Sequence, residues 1–132
     1  YHQAETLRIK DAEWRAYNPE YIVIGVAEPS NHELPRSYLQ YLWAFQCPLP
    51  IVSYEEAEFS KIAVNMMLAA QVDATNRLAA AAERCGASWT LVANILKMDK
   101  RIGAEAYLTP GRWQDSKHLL RDAITLEEIS TR

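Results

Sequence analysis

Apolar and polar positions follow a helical period between Ser53 and Cys85, and neither proline nor glycine interrupts this stretch. The apolar stripe at its beginning consists of Phe59, Ile62, Ala63, Met66, Met67 and Ala70. Ser53 and Glu56 have the spacing of a capping box at a helix N-terminus. Arg84, followed by Cys85 and Gly86, is typical of a helix C-terminus. We therefore predict one helix, about 50 Å long, around which the rest of the chain is arranged.

Two short apolar runs before this helix predict strands. Tyr21–Val26 is β-branched and continuously apolar, as in a strand covered on both faces of a parallel sheet. Pro50–Val52 predicts a second strand that leads directly into the long helix. Between them, Leu34–Phe45 predicts a helix, whereas Tyr1–Tyr17 predicts a loop and a short helix. Because two short strands do not form a stable sheet alone, we expect their companions to lie outside this chain.

The chain after Gly86 predicts only helices and loops. Ser88 is placed to cap a helix that ends near Met98, and a loop follows from 99 to 112. A last helix begins near Asp115 or Ser116, and a second capping box at Thr125 predicts that it breaks and restarts there. The fold class is therefore mainly α with a small α/β portion: the tail of an α/β nucleotide-binding domain at 1–52 and a helical domain at 53–132.

Composition excludes several classes of protein. The net charge is −3 and no basic stripe is visible, so we expect no nucleic-acid partner. No apolar run is long enough to cross a bilayer, so we expect no membrane association. Cys47 and Cys85 lie far apart, which supports neither a metal site nor a disulfide framework and favours reduced thiols in a cytoplasmic protein. Because the chain begins with Tyr1 and not with methionine, we expect a fragment or a processed piece.

Four segments resemble the UDP-glucose/GDP-mannose dehydrogenase family, in the family's order and over nearly the whole chain. Ala57–Asn65, continuing to Asn76, is similar to the start of the central helix, AEMxKxxxN…N. Asn18–Gly25 is similar to the strand NPxRIVIG, and Ala4–Arg8 stands where the family has PEFLR. Asp99–Gly111 resembles the segment DxRIG…YLxPG.

The resemblance implies a fold and an activity. The long helix would belong to a helical domain like that of 6-phosphogluconate dehydrogenase, preceded by two strands from the end of a Rossmann-type domain. In the family this helix forms the core of a homodimer. The enzymes use two NAD to oxidise the C6 alcohol of a sugar nucleotide to a carboxylate. A cysteine attacks the aldehyde intermediate and forms a thiohemiacetal.

The resemblance also implies site residues. Lys61 matches the family lysine that stabilises a developing oxygen charge, and Asn65 matches the asparagine beside it. Because they are four residues apart, they are expected to project from one face of the helix. An ammonium and an amide directed at one point suit the binding of an oxyanion. Glu5 matches the first glutamate of the PEFLRE segment, whose second glutamate falls on Ile9 and is lost. Asp122 matches the family aspartate.

The chain departs from the family after Gly111, where bulky residues replace a glycine-rich turn. His118 stands where the nucleophilic cysteine is expected, and a histidine forms no thiohemiacetal. The chain contains no GxGxxG, so we expect no cofactor in this chain, although NAD is implied for the full-length family.

Each of these residues also has a purely structural interpretation. Lys61 and Asn65 would be solvated helix residues, His118 an ordinary helix histidine rather than a base, and Asp122 one half of a surface ion pair. Trp113 would be buried in its loop rather than stacked on a ligand. Met66 and Met67 are expected in core or dimer contacts.

Three functions stay open at this point. The first is the dimer-forming segment of a nucleotide-sugar dehydrogenase homologue with a degenerate active site, which forms a homodimer and has a sugar nucleotide as its ligand. The second is a stand-alone, non-catalytic dimerisation or interaction module. The third is a segment of another β-hydroxyacid dehydrogenase, since that group also places a lysine and an asparagine four residues apart on a central helix.

Overall fold

The computed structural model describes residues 1–3, 12–31 and 33–131, which form two compact units, Tyr1–Lys61 and Ile62–Arg132. The strands are β1 (His2–Gln3), β2 (Ile24–Val26) and β3 (Ile51–Ser53). The helices are α1 (Ala12–Tyr17), α2 (Arg36–Trp43), α3 (Tyr54–Arg84), α4 (Trp89–Met98) and α5 (Lys117–Ser130). Short 3-10 turns occupy Pro29–Asn31 and Trp113–Asp115. The mainly helical fold with a small sheet is thus confirmed.

The sheet of the first unit has the strand order β1-β2-β3. β2 and β3 are parallel, with Ile24 opposite Ile51, as the continuous apolarity of the run indicated. The regular strand begins only at Ile24, although the Ile22 N–H also donates to the Pro48 carbonyl at 3.0 Å. β1 pairs antiparallel with β2 and was not predicted. Our expectation that companion strands lie outside the chain was therefore wrong for β1, whose two residues are too few to show a strand pattern.

The core of the first unit lies between the sheet and α2. Its buried members are Ile22, Ile24, Val26, Leu34 and Leu42. Gly25 has a different role, because a Cβ atom there would lie 3.0 Å from the Ala57 Cβ. The missing side chain lets β2 approach the first turns of α3 closely. α2 begins one residue after Pro35 and ends at Trp43, so it is shorter at both ends than the predicted Leu34–Phe45.

Both predicted ends of α3 are confirmed. The Ser53 Oγ accepts from the Glu56 N–H at 3.1 Å, and Glu56 Oε2 accepts from the Ser53 N–H at 2.8 Å, which completes the capping box. At the other end Gly86 has a φ of 76°. The Ala87 N–H donates to the Ala82 carbonyl at 2.8 Å, the bond that defines a Schellman motif.

The second unit contains most of α3 together with α4 and α5. α5 runs without a break, so the predicted interruption at Thr125 was wrong. The Thr125 hydroxyl donates to the Arg121 carbonyl at 3.1 Å within the helix and caps no new one. Ser88 precedes α4 as predicted, but its side chain makes no capping hydrogen bond. Within the described residues, no helix combines the length and apolarity that a membrane span requires.

Candidate functional site

Asn65 and Asp122 lie 57 positions apart in the sequence and are hydrogen-bonded in the structure. The Asn65 Nδ2 in α3 donates to the Asp122 Oδ2 in α5 at 2.6 Å. The second carboxylate oxygen, Oδ1, accepts from Nε of Arg121 at 2.8 Å and from its Nη2 at 2.7 Å. Two residues that the family resemblance placed at the active site are therefore in direct contact.

Burial distinguishes this pair from a surface ion pair. The Asp122 residue is 4% exposed, whereas the side chain of its partner Arg121 is 60% exposed. A buried charge is costly unless donors compensate the lost hydration, and the amide and the guanidinium provide such donors. The ion pair with a neighbouring arginine, expected from the structural interpretation, is present. The carboxylate that it holds, however, is turned into the interior between α3 and α5.

The other predicted site residues are placed differently. Lys61 lies in α3 at the end of the first unit and is half-buried. His118 is exposed in the first turn of α5, one helical turn before Asp122. Glu5, and Ile9 at the lost glutamate position, lie outside the described residues.

Side chains of α3 also bind the 107–113 loop, a role that sequence reasoning missed. The Gln71 Oε1 accepts from the Tyr107 N–H at 2.9 Å, and the Thr75 Oγ1 donates to the Tyr107 carbonyl at 2.8 Å. Asn76 makes a pair of bonds to Gly111: its Nδ2 donates to the carbonyl at 2.7 Å and its Oδ1 accepts from the N–H at 2.9 Å. Thr75 is 1% exposed, so its hydroxyl needs this partner.

Two tryptophans complete the attachment of the loop. The Trp89 Nε1 donates to the Leu108 carbonyl at 2.9 Å, and the Trp113 Nε1 donates to the Asp73 Oδ1 at 2.8 Å. Trp113 is half-buried in its loop, in keeping with the structural interpretation of this residue. A sequence signal existed, because Gln71, Thr75 and Asn76 are uncharged polar residues at helical spacing.

Replacing Asn76 with leucine should release the 107–113 loop at Gly111. Both backbone groups of Gly111 lose their partner, and we expect its amide to exchange with solvent roughly 5- to 30-fold faster. Amide hydrogen exchange followed by NMR measures this directly. Leucine at the neighbouring exposed Arg77 is the matched control and should leave the rate unchanged. Equal rates at Gly111 in all three proteins would contradict the assignment.

The turn after α4 is built by Asp99 and Arg101, which belong to the segment that resembles DxRIG. The Asp99 Oδ1 accepts from the Arg101 backbone N–H at 2.9 Å, and its Oδ2 accepts from the Arg101 Nη2 at 2.7 Å. Hydrogen bonds from the Arg101 side chain, and then from its backbone N–H, lower the pKa of the Asp99 carboxyl. Gly103 follows with a φ of 90°, which favours glycine. These residues shape the loop, and both charges face solvent.

The described residues offer little to a metal ion, because no group of three or more His, Cys, Asp or Glu side chains among them is arranged to hold one. Cys47 and Cys85 are free thiols. The Asn65–Asp122 pair therefore offers hydrogen bonding and charge. The sequence of α5 contains no cysteine.

Comparison with known proteins places this geometry in context. The profile of the UDP-glucose/GDP-mannose dehydrogenase family, central domain, matches residues 55–130. UDP-glucose 6-dehydrogenase 1 of Arabidopsis thaliana is 32% identical over 103 residues, which cover 76% of this chain and 21% of that protein. UDP-glucose 6-dehydrogenase 2 of Oryza sativa subsp. japonica is 31% identical over 90 residues, covering 66% and 19%.

A solved structure agrees with these relatives. A UDP-glucose dehydrogenase from the hyperthermophilic archaeon Pyrobaculum islandicum superimposes with a TM-score of 0.66 and 30% sequence identity, over 78% of this chain and 23% of that one. The chain spans about a fifth of the length of the curated plant relatives that it matches.

Proposed function

Because the chain belongs to the UDP-glucose/GDP-mannose dehydrogenase family, as a segment with its central domain, we propose that it is the dimer-forming part of a nucleotide-sugar dehydrogenase homologue that has lost the covalent step. The hydrogen bond between Asn65 and Asp122 carries the proposal. It joins two residues that the family resemblance assigned to one site, from elements far apart in the sequence. A scaffold that merely kept its helices would not need a buried amide–carboxylate pair at these positions.

The retained residues suit the binding and polarisation of an oxygen. Asn65 and Asp122 hold each other in place, while Lys61, by the resemblance, is the residue that stabilises developing negative charge. In the proposed homologue the substrate is a UDP- or GDP-sugar, as in the family. Arg121 would balance the charge of Asp122, so that the pair does not repel an anionic ligand.

With His118 at the position of the family cysteine, one step of the family reaction is lost. An imidazole can accept a proton from an alcohol, but it does not form the thiohemiacetal from which the acid is made. We propose that oxidation to the carboxylate is absent. An oxidation that stops at the aldehyde is the most that the retained residues would support.

The described residues do not fit NAD in the family manner. A dinucleotide site needs a glycine-rich turn between a strand and the N-terminus of a helix, where the backbone N–H groups are free for pyrophosphate. β3 enters α3 without a glycine, and Glu55 and Glu56 occupy the first turn. Glu56 also accepts the Ser53 N–H itself. We therefore assign no cofactor to this chain; NAD would be held elsewhere in a longer protein.

The test is the product formed from UDP-glucose or GDP-mannose with NAD. This chain should reduce NAD no faster than a buffer blank, because its described residues do not fit the dinucleotide. Mass spectrometry should detect no uronic acid among the products of the protein isolated from its source cells. The His118→Cys variant of that protein is the matched comparison. Steady NAD reduction by this chain, or acid from the native protein, would contradict the proposal.

We also propose that the chain forms a homodimer through α3. This helix leaves apolar side chains exposed along its length, among them Phe59, Val64, Leu78 and Met67, the last of them 64% exposed. Light scattering at micromolar concentration should give twice the mass of 15.1 kDa. Met67→Lys should weaken the dimer about tenfold or more, because a charge replaces a methionine that the proposed dimer would bury. A monomeric mass for the wild type would refute the dimer.

A stand-alone interaction module is the second candidate, and α4 is the observation that favours it. Leu91, Ile95 and Met98 lie at spacings of four and three on this helix and are exposed, Met98 by 79%. The intact mass of the native protein separates the two functions. A mass several-fold above 15.1 kDa supports a dehydrogenase homologue, whereas a mass near 15.1 kDa supports a module whose function is binding.

A further inference from the structure

The second unit contains an apolar groove with a volume of about 420 Å³. Its walls come from α3, from the turn that carries Trp113, and from α5. Alanines at 69, 70 and 123 leave the space open, and Met66 and Leu126 make its surface apolar. A groove of this size and character accommodates one or two large apolar side chains. It belongs neither to the Asn65–Asp122 pair nor to the exposed apolar residues by which α3 is proposed to dimerise.

Charge defines what the groove can accept. The charged residues that line it, Asp73 on α3 and Glu127 on α5, are both acidic and exposed. The Asp73 Oδ1 accepts from the Trp113 Nε1 at 2.8 Å, which fixes the indole at the edge of the groove. An apolar surface edged by carboxylates and a tryptophan favours an occupant that combines apolar and cationic side chains.

We propose that this groove docks a basic amphipathic helix of a partner protein. Its apolar side chains enter between α3 and α5, and its lysines or arginines face Asp73 and Glu127. A helix-in-groove contact of this kind needs small residues where the backbones approach, as Ala69, Ala70 and Ala123 provide.

A synthetic amphipathic Leu/Lys helix peptide is the probe, with a Leu/Glu peptide of the same pattern as its counterpart. Binding is measured by fluorescence anisotropy of the labelled peptide and located by the NMR signal of the Trp113 indole N–H. The Leu/Lys peptide should bind and shift that signal. Ala70→Phe fills the groove and should weaken binding at least about tenfold. Ala80→Phe, at an exposed position of α3 outside the groove, is the matched control and should bind as the wild type does.

The acidic edge is tested by Asp73→Asn combined with Glu127→Gln. This variant should bind about 2- to 30-fold more weakly at low ionic strength, and the difference should shrink as salt is added. Equal binding of the Leu/Glu peptide, or no effect of Ala70→Phe, would overturn the proposal. So would a wild-type dimer that Ala70→Phe converts to a monomer, because a second copy would then fill the groove. An unchanged amide spectrum away from the groove shows that each variant is folded.

Discussion

Asn65→Leu should lower the free energy of unfolding of the chain by about 2–3 kcal/mol. The substitution removes the Nδ2 donor that lies 2.6 Å from the Asp122 Oδ2. The carboxylate stays buried, and the side chain of its ion-pair partner Arg121 is mostly solvated. Losing one donor to a buried charge costs more than losing a hydrogen bond between neutral groups. Urea denaturation followed by circular dichroism measures the change.

A double-mutant cycle shows whether the loss comes from this contact. Asn65→Leu and Asp122→Leu should show a coupling of about 1.5–3 kcal/mol. In the double variant the carboxylate that lost its Asn65 donor is itself removed. Asn94→Leu, at an exposed position in α4, is the matched control and should change stability by about 0.5 kcal/mol or less. Additive single effects would show that the two side chains do not stabilise each other.

Leu42→Ala should destabilise the first unit by about 2–5 kcal/mol. Leu42 is 0% exposed and is one of the largest fully buried side chains of that unit, where it packs with Ile22, Ile24 and Val26. Truncation removes apolar contacts and leaves a cavity that a small core cannot close. Amide hydrogen exchange of β2 and β3 reports the loss in this unit separately from the Ile62–Arg132 unit.

The neighbouring residue provides the control for this prediction. Trp43 lies next to Leu42 in α2 and is 61% exposed, so Trp43→Ala removes a larger side chain from the surface rather than from the core. We expect a change of about 0.5 kcal/mol or less for it. If both variants lost the same stability, the core of the first unit would not be centred on Leu42.

Local patterns predicted the elements of the fold well. The capping box of Ser53 and Glu56 and the terminal Gly86 placed α3 within a residue of its observed ends. They succeeded because capping depends on groups within one helical turn, whose distances follow from helix geometry alone. The same kind of pattern was wrong at Thr125, where the helix continues and the hydroxyl bonds to the Arg121 carbonyl instead. A capping signal therefore marks a helix end only where tertiary packing does not favour continuing the helix.

The candidate site was predictable in its members but not in its geometry. The resemblance to the family identified Asn65 and Asp122 as site residues. Their separation in the sequence, however, does not indicate that the two side chains are in contact. Gln71, Thr75 and Asn76 were not assigned any role, since a polar residue on a helix is usually solvated. Their partners are backbone groups of the 107–113 loop, and backbone groups leave no signal in a sequence.

By itself, then, the sequence determined the long capped helix, the parallel pair of strands and membership of a family. Each of these depends on interactions between near neighbours or on residues that can be read one by one. Only the tertiary structure decided that Asp122 is buried against Asn65, that Asn76 holds Gly111, and that β1 joins the sheet. Those contacts join residues from about 20 to nearly 60 positions apart, and they form only where packing of the apolar faces brings the elements together.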